Sequence, residues 1–181
     1  FDVATIAGPG TPRGTGAWRE ALAVAGARGR PWRTLVRGDR VMLDEVELAV
    51  LHPAAVRESA DANSNSLVLR LRWGDFELLL TGDADLAAER LFSAAAGDID
   101  VLKVGHHGSR TSTGADLLER TRPELALISA GRGNRFGHPH PSVLARLEAA
   151  GIATRRTDLD GSLELRVSGD GRWRWIEGRV D

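Results

Sequence analysis

Asp83 and the adjacent pair His106-His107 are the residues of this chain best suited to chemistry. Asp83 follows Leu78-Leu79-Leu80-Thr81-Gly82, so its carboxylate leaves the C-terminal end of an apolar, strand-like run with Gly82 free to bend beside it. Rigid strand ends are where scaffolds hold ligands. The competing role is capping the helix that follows, for which Asp85 is the better placed residue. His106 and His107 lie between Gly105 and Gly108, directly after Val101-Leu102-Lys103-Val104. On an extended segment neighbouring side chains point opposite ways, so one histidine can enter a metal sphere while the other faces substrate or a supporting partner. A lone His in a strand is usually a satisfied core residue. Two in succession in a Gly-flanked loop have no packing use, and hydrolytic chemistry is the better account.

Two neighbouring segments carry further polar groups. Ser109, Thr111, Ser112 and Thr113 offer hydroxyls and amides for a phosphate oxygen, or for capping the next helix, which is the commoner use. The run Gly131 to Pro141 combines glycines with Arg132, Arg135, His138 and His140 ahead of a helix start, a pattern able to hold an anion through guanidinium geometry and free amides. Pro141 suits the first helical turn and is structural. His52, before Pro53, reads as structural, and Arg28, Arg30, Arg33 and Arg37 as solvated. Trp173 and Trp175 alternate with Arg172 and Arg174; an edge strand with one packed face explains them more simply than base stacking does.

Regular elements must position these groups. Thr15 is placed to cap a helix from Ala17 to about Ala27, ended by Gly29 and Pro31. Strands are expected at 41–43 and 46–51 around Asp44-Glu45, then an exposed loop over 54–65. Residues 66–73 and 76–81 flank Gly74-Asp75 as a β-hairpin. A helix over about 86–95, a buried strand over 99–104, a helix near 115–120, a strand at 125–129 and a helix from Pro141 to Ala150 complete an α/β alternation. Strands at 154–157 and 162–167, separated by the turn Asp158-Leu159-Asp160-Gly161, precede an amphipathic end at 172–177. No internal repeat or linker divides the chain.

Composition limits the possibilities. The 181 residues fit a single domain, with 24 basic and 25 acidic side chains and a net charge of −1, so there is no global field to draw nucleic acid and any DNA contact must be local. The absence of Cys excludes disulfide partners and thiolate ligands, leaving His, Asp, Glu or Asn to hold a metal. No apolar run reaches 18 residues, and the first residues lack the basic-then-apolar pattern expected of a signal peptide. It begins Phe1-Asp2-Val3-Ala4-Thr5-Ile6, which suggests a piece of something longer.

Five stretches resemble a known family in order and spacing: Asn63 to Leu69, Leu79 to Asp83, Asp100 to Ser109, Ile128-Ser129, and Asn134 to Pro139. They lie within a resemblance that spans about residues 45–165 and is to the C-terminal hydrolase domain of ComEC-type competence proteins; the run Lys103 to Ser109 is its most specific part. The resemblance implies the C-terminal portion of a metallo-β-lactamase αββα sandwich. It also implies a parent membrane channel that takes up single-stranded DNA, with this domain outside the cytoplasm degrading the strand left behind. Its cofactor would be two divalent ions, zinc or manganese, with Asp83 bridging, His107 or else His106 as a ligand, and Asn65 as a weak oxygen ligand. His106 or His138 would act on the phosphate or the leaving oxygen, and Ser109 and Arg135 would bind substrate. The family's first metal motif, His-x-His-x-Asp-His, is absent, since His52 is the one histidine before His106. The expectation is therefore a partial metallo-β-lactamase-like domain over 1–181, inactive by itself. The competing expectations are a metal-free remnant or binding module, and a stand-alone small-molecule hydrolase of the same fold.

Overall fold

Short turns and helical crossovers alternate along this chain, and they decide which strands run antiparallel and which parallel. The computed structural model describes residues 3–9, 16–30, 32–55 and 62–176. It opens with β1 (Ile6–Gly8), α1 (Gly16–Ala27) and β2 (Trp32–Thr34), and β1 pairs in parallel with β2. Thr15 and Pro31, expected to bound α1, lie outside the described residues. Next come β3 (Arg40–Leu43), β4 (Val46–His52), β5 (Val68–Trp73), β6 (Phe76–Leu80), α2 (Leu86–Ala96), β7 (Val101–Lys103), α3 (Ala115–Thr121), β8 (Leu125–Ile128), α4 (Pro141–Ala149) and β9 (Ala153–Arg156). The chain closes with α5 (Thr157–Asp160), β10 (Glu164–Val167) and β11 (Trp173–Ile176).

Strands β3 to β9 form one seven-stranded sheet in sequence order. Two-residue turns at Asp44-Glu45 and Gly74-Asp75 make β3–β4 and β5–β6 antiparallel, β4 and β5 pair antiparallel across a longer connection, and the helical crossovers α2, α3 and α4 make β6 to β9 parallel. Side chains alternate across the sheet. Leu79, Leu102, Ala126 and Ile128 pack against Phe92 of α2, Leu117 of α3, and Val143 and Leu147 of α4. Burying Phe92 completely stabilises the fold by roughly 1.5–3 kcal/mol. On the other face Leu78, Val101, Leu125 and Leu127 meet Leu165, Val167, Trp173 and Trp175 of the β10–β11 hairpin. The two tryptophans thus belong to a strand with one packed face. The result is a mixed α/β fold with helices on one side of the main sheet and a second, two-stranded sheet on the other.

Two expectations are corrected. The segment 158–161 is no simple turn: Thr157–Asp160 coils as α5, with Asp160 accepting the Arg156 amide at 2.7 Å and the Thr157 hydroxyl bonding Ala130 at 2.8 Å. In consequence β9 joins β8 in the large sheet while β10 pairs with β11. Arg37 is more than a solvated cation, since its guanidinium donates to the carbonyls of Leu51 at 2.8 Å and Leu91 at 2.5 Å and so ties β4 to α2.

Candidate metal and catalytic site

Because β6, β7 and β8 are parallel, their C-terminal ends open on one edge, the place where open α/β sheets bind ligands. Asp83, the histidine pair and Ser129 leave those three ends. Gly82 adopts φ 56° and lies so close to the chain before β5 that an added Cβ would sit 3.2 Å from the Leu67 carbonyl. That bend releases Asp83 from the sheet while Asp85 caps α2, accepting the Ala88 amide at 2.8 Å.

His106 and His107 do not lie on an extended segment. Both occupy the left-handed region, at φ 46° and 56°, inside a tight turn from Gly105 to Gly108, a conformation costing roughly 1–2 kcal/mol per residue. Strain of this kind persists only where the surroundings over-determine it, and here they do. The His106 amide donates to the Gly82 carbonyl at 3.0 Å, and the Thr81 hydroxyl to the Lys103 carbonyl at 2.9 Å. Ser112 Oγ donates to the Gly105 carbonyl at 2.7 Å, and the Gly105 amide to Thr113 Oγ1 at 3.2 Å. Ser112 and Thr113 therefore neither face solvent nor cap α3. They brace the histidine turn from below, and the segment is clamped in turn by Glu89 and Arg146. Glu89 accepts the amides of Thr113 and of Gly114, the latter at 2.8 Å, and Arg146 donates to the carbonyls of Ser112 and Thr113 at 2.8 and 2.9 Å.

The turn sends the two imidazoles apart, with ring centroids 6.4 Å from each other. His107 Nδ1 lies 2.8 Å from the Ser129 carbonyl, and since a carbonyl only accepts, Nδ1 carries the proton. In the neutral ring Nε2 then keeps its lone pair and faces Asp83 Oδ1 at 3.9 Å. Two electron-pair donors at that separation cannot hydrogen-bond each other, but both can reach one cation at about 2.0–2.2 Å from each. The side chains are 51% and 46% exposed, so ions and water have access. Fixing the tautomer through a backbone carbonyl is how metal-ligating histidines are usually oriented.

His106 turns the other way, toward His138, with centroids 5.9 Å apart and the rings edge-on. The Nδ1 atoms of both are buried without a hydrogen-bond partner, as is His52 Nδ1. His52 shows that an orphaned nitrogen alone marks no site: it packs beside Phe92 and its Nε2 donates to the Ser64 carbonyl at 2.9 Å. Burial, reinforced by the neighbouring histidines, holds His138 below the usual imidazole range. Asn134 fixes His138 from both sides of its backbone, accepting its amide at 3.0 Å and donating to its carbonyl at 2.6 Å. The loop docks on the histidine turn through the His140 amide, which donates to Gly108 at 2.8 Å; a Cβ on Gly108 would fall 2.6 Å from Pro139 Cβ.

Asp83, His107, His106 and His138 are thus brought together, and Arg135 is exposed on the same loop as His138. Ser109 is buried and its hydroxyl bonds Thr111 at 3.0 Å. Asn65 is buried in a short helical turn, Asn63–Asn65, whose Ser64 bonds Asp85 at 2.9 Å. The start of α4 offers no free cap for an anion, because His140 Nδ1 accepts the Ser142 amide at 3.2 Å and the His140 carbonyl accepts that of Val143 at 2.9 Å. Lys103 was not singled out by the sequence, yet burial pushes its ammonium below the ordinary lysine range while Asp83 opposes that shift. A charged residue at the end of a buried strand was the available signal. Asn134 entered the sequence reading only as the first residue of the stretch Asn134 to Pro139, with no role of its own.

Over 132 residues the chain is 40% identical to ComE operon protein 3 of Bacillus subtilis, over 121 residues 43% identical to Recombination protein 2 of Haemophilus influenzae, and over 131 residues 39% identical to Competence protein ComA of Neisseria gonorrhoeae. These matches cover 72%, 67% and 71% of this chain but 17%, 15% and 19% of the respective relatives. No family model matches the chain. A crystal structure described as a metal-dependent hydrolase of Parabacteroides distasonis aligns with 75% of this chain and 61% of its own, with a TM-score of 0.49 and 13% identity, a likeness too distant to bear on chemistry. Over about seven-tenths of its length the chain is homologous to one segment of the ComEC-type competence proteins.

Proposed function

We propose that this chain supplies one side of a metal-dependent phosphodiesterase centre acting on DNA during uptake, where it degrades the strand that is not transported. The observation that carries the reading is the Asp83–His107 pair, two ligand atoms 3.9 Å apart on adjoining strand ends with the His107 tautomer fixed by Ser129. The relatives' names, which speak of recombination and competence, support DNA as the substrate. Asp83 and His107 would hold a zinc or manganese ion, with Asn65 a weaker candidate. Among the described residues no group of three or more His, Asp or Glu is gathered for a metal, so the remaining ligands of a two-ion centre would come from elsewhere in a longer protein. Bound ions would supply an activated water and neutralise charge on the phosphate.

The chain's own residues do the rest. His138, whose pKa burial and the neighbouring histidines lower, can donate an N–H to a phosphate oxygen; an arriving anion favours its charged form, which could then protonate the leaving oxygen. His106, 5.9 Å away, is the alternative for that role. Arg135 is exposed and can meet a phosphate without rearrangement, whereas Ser109 must first release Thr111. The longer protein would be a membrane channel carrying this domain outside the cytoplasm. No helix among the described residues is long and apolar enough to cross a membrane, so the channel would be formed by other parts of that protein.

The small number of gathered ligands favours a second reading, a binding module that keeps the fold without the metal. Metal content and oligonucleotide hydrolysis, measured on the 181 residues and on the same chain extended upstream, separate the two readings. Metal uptake and hydrolysis by the extended form, both lost in Asp83→Asn, support the enzyme. An extended form without metal or activity sinks it.

A further inference from the structure

Phe136 is the most exposed large apolar side chain among the described residues, with 67% of its surface open. Exposing an aromatic ring to water costs free energy and packs nothing, so the ring's surroundings decide whether it has a use. The Arg135 guanidinium lies over the ring, 5.0 Å from its centroid. The His138 imidazole stacks beside it, centroids 6.0 Å apart and planes 27° from parallel. His138 then meets His106 edge-on. A row of flat groups thus runs from the solvent-facing tip of the loop to the histidines proposed to act on the phosphate. The tip is held at both ends: Asn134 Nδ2 donates to the carbonyls of Gly131 at 2.9 Å and His138 at 2.6 Å, and the His140 amide bonds Gly108.

We propose that Arg135 and Phe136 form a stacking platform for an unpaired base of single-stranded DNA, presenting the adjoining phosphate to His138 and His106. The proposal rests on the DNA-hydrolase reading for the identity of the chain it would receive. A flat cation layered on an aromatic ring offers a surface for any base and a charge for its phosphate, the combination that binds single strands without reading sequence. A duplex fits less well, since its bases already cover one another's faces. With a net charge of −1 the protein as a whole does not attract DNA, so a local aromatic and cationic contact would have to select the strand.

Fluorescence anisotropy of the 181-residue chain, with chelator present so that nothing is cut, tests this. The probes are oligothymidine of about twelve nucleotides, within the site size of single-strand binding folds, and an abasic deoxyribose-phosphate strand of equal length and charge. Phe136→Ala should weaken oligothymidine binding by roughly 5- to 100-fold and leave the abasic strand nearly unaffected, with Phe136→Trp restoring the difference. Equal losses on both strands, or no loss on either, overturn the proposal. So does wild-type chain that binds neither strand, or a Phe136→Ala defect seen instead in anionic-vesicle binding or in self-association. Because no hydrolysis is read, base stacking stands or falls by this measurement, while an upstream-extended form without metal or activity would sink the enzyme reading alone.

Discussion

The His106 amide donates to the Gly82 carbonyl at 3.0 Å, so the turn carrying both histidines is bonded to the residue next to Asp83. The Thr81 hydroxyl adds a second tie to the carbonyl of Lys103. Loops leaving two adjacent parallel strands are thereby locked together, and backbone bonds set the gap between Asp83 and His107 where no hydrogen bond joins the side chains. A site held this way is preorganised, since an incoming cation need not draw the two residues together.

His107→Ala and Asp83→Asn should each weaken manganese or zinc binding by about a hundredfold or more, because losing even a supporting partner of a metal ligand costs 10- to 100-fold. Asp83 is half-exposed, so Asp83→Asn should barely move circular dichroism or the unfolding midpoint, whereas His107→Ala loses the Ser129 hydrogen bond and places alanine at φ 56°, so its midpoint should fall. Unchanged affinity in a calorimetric titration would remove the pair as ligands.

Gly108→Ala tests the docking of the loop. The added methyl would lie 2.6 Å from Pro139 Cβ, on a residue at φ 83°. The overlap alone should destabilise the protein by roughly 1–3 kcal/mol in urea unfolding. The His138 resonances should shift as well, since that loop carries the ring.

Glu89 sets a pH dependence. Burial pushes its carboxyl up to about 7, against the opposing pull of the Gly114 and Thr113 amides and of Arg146. The unfolded chain holds fewer protons between the ordinary carboxylate range and pH 7, so this contribution to stability is complete below that range and is lost as pH rises toward about 7. Urea unfolding from pH 4 to pH 8 should show wild type losing stability relative to Glu89→Gln. A constant difference between the two would refute the raised value.

His106→Asn should raise the His138 pKa by removing one of the neighbours that hold it down, while burial, the larger cause, remains. Asparagine tolerates the left-handed backbone at φ 46°, so the turn should survive. An NMR titration of the His138 ring gives the answer directly.

Periodicity made the scaffold legible. Leu78 and Leu79 face opposite layers because a strand alternates, and the two-residue turns at 44–45 and 74–75 announced the antiparallel half of the sheet. What periodicity could not carry was local backbone conformation. Nothing in Gly-His-His-Gly says that both histidines are left-handed, because the ties that impose it come from Gly82, Ser112 and Thr113. Ser112 and Thr113 were expected to serve phosphate or a helix end for the same reason: hydroxyls beside a Gly-flanked turn give no hint of whether they point inward. Lys103 escaped notice since its burial, and its closeness to Asp83, arise only when β6 and β7 pair.

The left-handed turn also narrows which sequences can occupy it, independently of what the site does. At two consecutive positive φ angles Gly is admitted without steric cost and Asn, Asp and His more readily than other residues, while β-branched and bulky side chains are strongly disfavoured. In a library randomised at 106 and 107, folding would discard most variants before any assay of activity, and the survivors would be drawn from a handful of residue types. Histidine is the member of that handful able to shuttle protons near neutral pH, so at these two positions the geometry of the chain and its chemistry ask for the same residue.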